Sequence, residues 1–101
     1  MDIEIVEFYL EQQDADKKTL KGTLHIYLPI HDIDIRGVIV SRRKDFWFFG
    51  LPSKVGSDQE TGEKIKYPIF TFTDSKKMGE LLSNIREKGK SYIIQKMKIE
   101  Q

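Results

Sequence analysis

Acidic and histidine side chains near the middle of the chain are the first candidates for chemistry. His31, Asp32 and Asp34 carry side chains that ligate metals, and the two carboxylates point to the same side of a strand. A structural zinc site needs about four ligands and a catalytic one three. The chain offers one further histidine, His25, and no cysteine. We therefore interpret these residues as solvated polar groups at a strand edge and predict neither a metal nor a cofactor.

Enzymatic motifs do not emerge from the sequence. Gly56 to Lys64 superficially resembles a phosphate-binding loop, but Glu63 precedes the lysine, and five residues separate Gly56 from Gly62. The phosphate loop requires four residues between its glycines and then Gly-Lys-Ser/Thr. No Gly-x-Ser-x-Gly nucleophile motif occurs either. We expect a protein that is not an enzyme and has no small-molecule substrate.

Basic residues beside aromatic ones give the remaining signal. Arg42, Arg43 and Lys44 directly precede the aromatic run that starts at Phe46. Lysine and arginine neutralise phosphates, and aromatic rings stack on bases or pack against a partner. Alternatively, the aromatic residues form a core or a dimer interface and the cations form a solvated rim. The candidate nucleic-acid-binding residues are Arg42, Arg43, Lys44, Lys54, Lys64, Lys66, Lys76, Lys77, Arg86, Lys88 and Lys90.

The aromatic run also suggests self-association. It is apolar on both faces of its predicted strand, and a monomer seldom leaves a large apolar patch uncovered. A domain of 101 residues also has a thin margin of stability, which a second subunit would improve. We therefore predict a homodimer whose interface contains Phe46, Trp47, Phe48 and Phe49.

Composition limits the class of protein. Hydrophobic residues make up 39% of the chain, enough for a core, and charged residues make up 33%. Residues 1–35 hold three Lys/Arg against eight Asp/Glu, whereas residues 36–101 hold fourteen against eight. The basic part is suited to phosphates, and the acidic part is suited to a basic partner. The longest apolar run, Phe46–Pro52, is too short for a membrane span, so we predict a cytoplasmic protein without membrane contact.

Period-two alternation predicts strands in the first two-thirds of the chain. A slip in the pattern at Ile5–Val6 indicates a bulge. Leu20–Leu28 shows a clean inward stripe, and Asp32–Ser41 is expected to place Ile33, Ile35 and Ile39 on one face with Gly37. Phe46–Leu51 and Lys64–Phe72 complete about five strands, with Val55–Glu63 as a long hairpin loop.

The period then changes to that of a helix. Met78, Leu81, Leu82 and Ile85 lie on one helical face. Thr73 or Asp74 is expected to cap the start, and Gly89 to end the helix. Gly79 is expected to mark a close backbone contact. The result is an α+β fold, an antiparallel β-sheet meander with a C-terminal α-helix packed on one face. Residues 1–90 form the single domain, and residues 91–101 are an extension that suits either a helix or a strand.

Three short segments resemble a known family when they are taken together. They are Asp34–Arg36, Phe48–Lys54 and Tyr67–Ile69, and their order and spacing are similar to those of the stage V sporulation protein G (septation regulator) family. The resemblance covers about Leu20–Lys88. It implies a small bacterial protein with an antiparallel sheet and a C-terminal helix, a homodimer that binds DNA and RNA and regulates gene expression. The alternative to a nucleic-acid-binding protein is a small protein–protein interaction module without nucleic-acid binding. The pI of about 7.9 favours this alternative, because strongly basic nucleic-acid-binding domains usually have a pI above about 9.

Overall fold

A computed structural model describes residues 2–57, 60–68 and 71–99, with the backbone alone for 54–57 and 65–68. In these ranges, six strands precede one helix. The strands are β1 (Glu4–Gln13), β2 (Thr19–Leu28), β3 (Ile33–Arg43), β4 (Phe46–Gly50), β5 (Ser53–Ser57) and β6 (Lys64–Pro68), and the helix is α1 (Ser75–Met97).

The main sheet confirms the predicted fold class. Its four strands follow the chain in the order β1-β2-β3-β4, and every neighbouring pair is antiparallel. Helix α1 packs on one face of this sheet. The number of strands differs slightly from the prediction, because β5 and β6 pair with each other in a separate two-stranded sheet. Strand β5 therefore extends to Ser57, into the segment Val55–Glu63 that was expected to be a loop.

The core lies between the sheet and α1. The predicted inward stripe of β2 is confirmed, since Leu20, Leu24, Ile26 and Leu28 are all buried. Buried side chains from other described parts of the chain join the layer, namely Ile3, Phe8, Ile35, Val38, Val40, Trp47, Leu81, Ile85 and Ile93. Alternate side chains of β2 point away from the helix and form the second face of the sheet.

A bulge in β3 overturns the predicted face of Ile39. Ile35 pairs with Ile26 and Val38 pairs with Leu24, so Arg36 and Gly37 together stand opposite His25. Gly37 has a φ of 82°, the left-handed conformation that glycine provides in such bulges. The extra residue shifts the alternation, which buries Val38 and Val40 and exposes Ile39. The predicted bulge in β1 is confirmed at Val6, between the pairs Ile5–Ile26 and Glu7–His25.

Helix α1 begins as predicted but ends later. Asp74 caps its start by accepting hydrogen bonds from the backbone N–H groups of Lys76 and Lys77, at 2.8 and 3.2 Å. The prediction that Gly89 ends the helix was wrong, because the helix continues to Met97 and is capped by Lys98 in the left-handed conformation. Residues 91–97 belong to this helix, and Ile93 is buried in the core. Within the described ranges, no helix is long and apolar enough to cross a membrane.

Candidate nucleic-acid interface

Two turns that are distant in the chain meet at one end of the sheet. The turn between β1 and β2 contains Lys17 and Lys18, and the two-residue turn between β3 and β4 contains Lys44. The backbone N–H of Lys44 donates to the carbonyl of Lys18 at 2.7 Å. Lys17 and Lys44 have positive φ values of 62° and 57°, which the tight turns impose. Lysines from both turns therefore share one surface.

Arg42 links these two turns from inside. Its Nε donates to the carbonyl of Lys44 at 2.7 Å, and its Nη1 donates to the carbonyl of Lys17 at 3.1 Å. The side chain is buried, with 8% of the residue exposed. This position does not suit the phosphate contact predicted for Arg42, because the guanidinium already binds backbone oxygens. Arg42 instead holds the lysines around it in place.

The end of α1 joins the same surface. Lys17 Nζ donates to the carbonyl of Met97 at 2.6 Å, and Lys98 follows directly. Lys17, Lys18, Arg42 and Lys98 line a groove of about 400 Å³ together with Asp16. We call this surface the basic end, and it comprises Lys17, Lys18, Arg42, Arg43, Lys44 and Lys98.

Nearby carboxylates reduce the charge of the basic end but do not cancel it. Asp14, Asp16 and Asp45 lie in the two turns. A hydrogen bond from the backbone of Thr19 lowers the pKa of Asp14 below its ordinary value, and the N–H to carboxylate distance is 3.1 Å. Asp16 accepts from the backbone N–H of Lys18 at 3.2 Å. Hydrogen bonds to the turn backbone therefore occupy these two carboxylates.

The basic residues predicted on the helix do not converge on this surface. Lys76 and Lys77 lie in the first helical turn, about 33 Å along the helix axis from Lys98. Lys88 Nζ donates to the carbonyl of Ile3 at 3.1 Å, on the β1 side of the helix. Arg86 and Lys90 line another groove together with Glu87. The helix candidates therefore lie in at least three places.

Three more of the predicted nucleic-acid-binding residues lie on the hairpin of β5 and β6. Lys54 belongs to β5, and Lys64 and Lys66 belong to β6. Lys54 pairs with Tyr67 and Lys66 pairs with Val55 in the register of this hairpin. Lys64 is exposed. The side chains of Lys54 and Lys66 fall outside the described part of the chain, so nucleic-acid binding by these two residues stays a prediction.

The aromatic run divides between two faces. Trp47 is 3% exposed and stacks with Phe49, whose ring centroid is 6.1 Å away, on the helix side of β4. Phe46 and Phe48 are 65% and 49% exposed on the opposite face. The chain buries Trp47 in its own core, so Trp47 does not need a second subunit to shield it. Only Phe46 and Phe48 of the predicted interface residues present large exposed rings.

The residues considered as metal ligands have other partners. Asp34 Oδ1 lies 2.9 Å from His25 Nε2, and Asp32 Oδ1 accepts from the Tyr27 hydroxyl at 2.7 Å. The latter hydrogen bond raises the pKa of Tyr27 above its ordinary value. Among the residues that the structure describes, no three His, Cys, Asp or Glu side chains form a group that could hold a metal ion.

Sequence reasoning found half of the basic end. It identified Arg42, Arg43 and Lys44 but did not include Lys17, Lys18 and Lys98. A weak signal was present. In an antiparallel meander, the turn between the first and second strands lies at the same end of the sheet as the turn between the third and fourth. Consecutive lysines in the first of these turns are therefore expected to lie beside the other turn. Comparison with protein-family models, curated proteins and solved structures gives no significant match to this chain.

Proposed function

We propose that this protein binds DNA or RNA as a non-enzymatic regulatory protein. The observation that carries this proposal is the basic end, where three separate parts of the chain bring six basic residues together. Cations on a phosphate backbone displace condensed counterions, which drives binding. The resemblance of Asp34–Arg36 and Phe48–Lys54 to the stage V sporulation protein G family supports the regulatory role. A cytoplasmic location is part of the same proposal.

The backbone contacts in the basic end favour a preformed binding surface. Arg42 joins both turns, and Lys17 joins the first turn to the end of the helix. Exposed Lys18, Arg43 and Lys44 extend from this fixed backbone. A preformed surface loses less conformational freedom on binding than a flexible tail does. These three side chains are therefore the strongest candidates for phosphate contact.

We also propose that the protein acts as a homodimer formed along β4. This strand is the last in the order β1-β2-β3-β4, so its outer edge offers backbone groups to another strand. Two β4 edges related by a two-fold axis would make one continuous sheet. Light scattering should then give twice the mass of one chain. Hydrogen exchange should show that dimerisation slows those β4 amides that do not bond to β3.

A protein-interaction role is the second candidate, and a groove favours it. Phe46, Phe48 and Leu82 are exposed and border a groove of about 420 Å³ that runs around the β4 edge of the sheet towards the helix. An apolar groove beside an edge strand is typical of a site for an extended peptide. In that case, the partner would remain bound in high salt and after nuclease treatment.

Fluorescence anisotropy tests the nucleic-acid proposal. Labelled single-stranded RNA, single-stranded DNA and duplex DNA are titrated at about 50 and 200 mM salt, where phosphate contacts weaken measurably. The variant Lys18→Gln/Arg43→Gln/Lys44→Gln should bind duplex DNA less tightly, and the slope of log affinity against log salt should become about 2.7 less steep. The matched control is Lys76→Gln/Lys77→Gln, which should change affinity less. Equal losses in both variants, or no binding by the unaltered chain, would contradict the proposal.

A further inference from the structure

The face of the main sheet that points away from α1 carries exposed aromatic rings. We call it the outer face. Tyr9, Thr23, Ile39 and Gly50 pair in register across all four strands in one row of this face. Phe46 and Phe48 extend from the same side of β4, and Tyr9 is 56% exposed at the far edge.

The Phe48 ring reaches over Gly50. A Cβ atom at Gly50 would come within 3.0 Å of Phe48 Cε1 and 3.1 Å of its Cζ. The tip of the ring therefore occupies the space above the glycine, where a larger residue at position 50 would displace it. Phe48 is 49% exposed, so part of this ring remains open to a ligand.

The spacing of the two phenylalanines matches an extended nucleic-acid strand better than a stacked one. Residues two apart on one face of a strand are about 6.8 Å apart. This is about twice the 3.4 Å rise per nucleotide of a duplex strand. Phe46 and Phe48 would thus hold two successive bases only if those bases were unstacked from each other.

The charge of the outer face is suited to the backbone of such a strand. Phe46 stands opposite Arg43, and Phe48 stands opposite Ser41, whose other partner is Lys21. Arg43 and Lys21 are exposed. A cation thus lies in the cross-strand row of each ring, next to the basic end. Asp32 and Asp34 lie at the opposite end of the sheet, at the turn between β2 and β3.

We propose that the outer face binds single-stranded nucleic acid by stacking two bases on Phe46 and Phe48, with Arg43 and Lys21 at its phosphates. This inference rests on the proposed nucleic-acid binding and adds the strand type. Bases within a duplex are stacked on each other, so they offer no free face to the rings. The basic end supplies affinity for both forms, and the rings supply the preference for single strands.

A second copy of the chain is the competing occupant of the rings. Leucine in place of phenylalanine keeps most of the apolar surface but removes the aromatic face. The variant Phe46→Leu/Phe48→Leu therefore separates base stacking from simple apolar contact. Ile39→Val is the matched control, because it alters an exposed side chain of the same face without touching a ring.

The experiment measures anisotropy with one labelled single-stranded DNA and with its duplex, together with light scattering of each variant. Stacking is worth about 5-fold to 150-fold in affinity per base. The double leucine variant should lose at least 5-fold for the single strand, change less than 2-fold for the duplex, and keep the wild-type mass. Phe48→Trp should retain single-strand binding.

Three results would overturn this inference. They are unchanged single-strand affinity in the double leucine variant, equal losses for single strand and duplex, and a change of oligomeric state that accounts for the loss. If the double leucine variant keeps its single-strand affinity and the duplex still binds through the basic end, this inference fails but the proposed function stands. If neither form binds to the unaltered chain, both proposals fail together.

Discussion

The Arg42 guanidinium lies over the ring of its cross-strand partner Trp47, with 5.1 Å between its central carbon and the ring centroid. The same guanidinium holds the carbonyl groups of Lys17 and Lys44. One side chain therefore connects the aromatic part of the core to the backbone of the basic end. The attraction between a cation and an aromatic ring adds to these two hydrogen bonds.

Replacement of Arg42 should unfold the protein more easily than replacement of its exposed neighbour. Arg42→Met keeps an apolar stem over Trp47 but leaves two carbonyl groups without their donor. Hydrogen bonds to a charged group contribute about 1.5–3 kcal/mol, so we expect a loss of that size in the free energy of unfolding. Arg43→Met should change it by less than about 0.5 kcal/mol. Urea denaturation measures both, and equal effects would refute the assignment of Arg42 as a structural link.

Trp47→Ala should act on folding rather than on assembly. Trp47 is 3% exposed and packs beside Phe49 in the core. Truncation of a buried tryptophan costs about 3–5 kcal/mol. We therefore expect a large fall in the urea midpoint, whereas Phe46→Ala on the exposed face should change stability by less than about 0.5 kcal/mol. A stable Trp47→Ala protein that differs only in oligomeric state would instead support the predicted interface.

Local patterns predicted the elements, and long-range contacts decided what the patterns left open. The stripe of β2 and the capping of α1 by Asp74 follow from periodicity and residue type. The bulge at Gly37 reverses the faces of β3, and a lone glycine in a strand does not reveal by itself whether it bulges. The inclusion of Lys18 in the basic end depends on a backbone hydrogen bond between residues far apart in the chain.

The two helical glycines should respond oppositely to alanine. A Cβ at Gly89 would come within 2.8 Å of Leu24 Cδ1 and 2.9 Å of Phe49 Cε1, whereas a Cβ at Gly79 meets nothing within 4 Å. The close contact expected at Gly79 is therefore found at Gly89. Gly79→Ala should stabilise the protein by up to about 1 kcal/mol through helix propensity.

Gly89→Ala should destabilise the protein despite the same gain in propensity. Leu24 is fully buried and has little room to move. Overpacking costs about 1–3 kcal/mol, which exceeds the gain of about 1 kcal/mol from alanine. Urea denaturation of both variants under one set of conditions compares them directly. A stabilised Gly89→Ala protein would mean that the helix does not approach the sheet at this position.

Glu7 should make stability depend on pH through its contacts with the helix. Hydrogen bonds from Lys96, the backbone N–H of Phe8 and Tyr92 lower its pKa from 4.5 to about 2, the one from Lys96 contributing most. Because the folded pKa is depressed, this stabilisation is complete above about pH 4.5 and disappears as the pH falls towards 2. Glu7→Gln should therefore be less stable than the unaltered chain at pH 7, and the difference should shrink at acidic pH. Glu11→Gln, an exposed change on the same strand, is the control, and a pH-independent difference for Glu7→Gln would exclude the carboxylate as its cause.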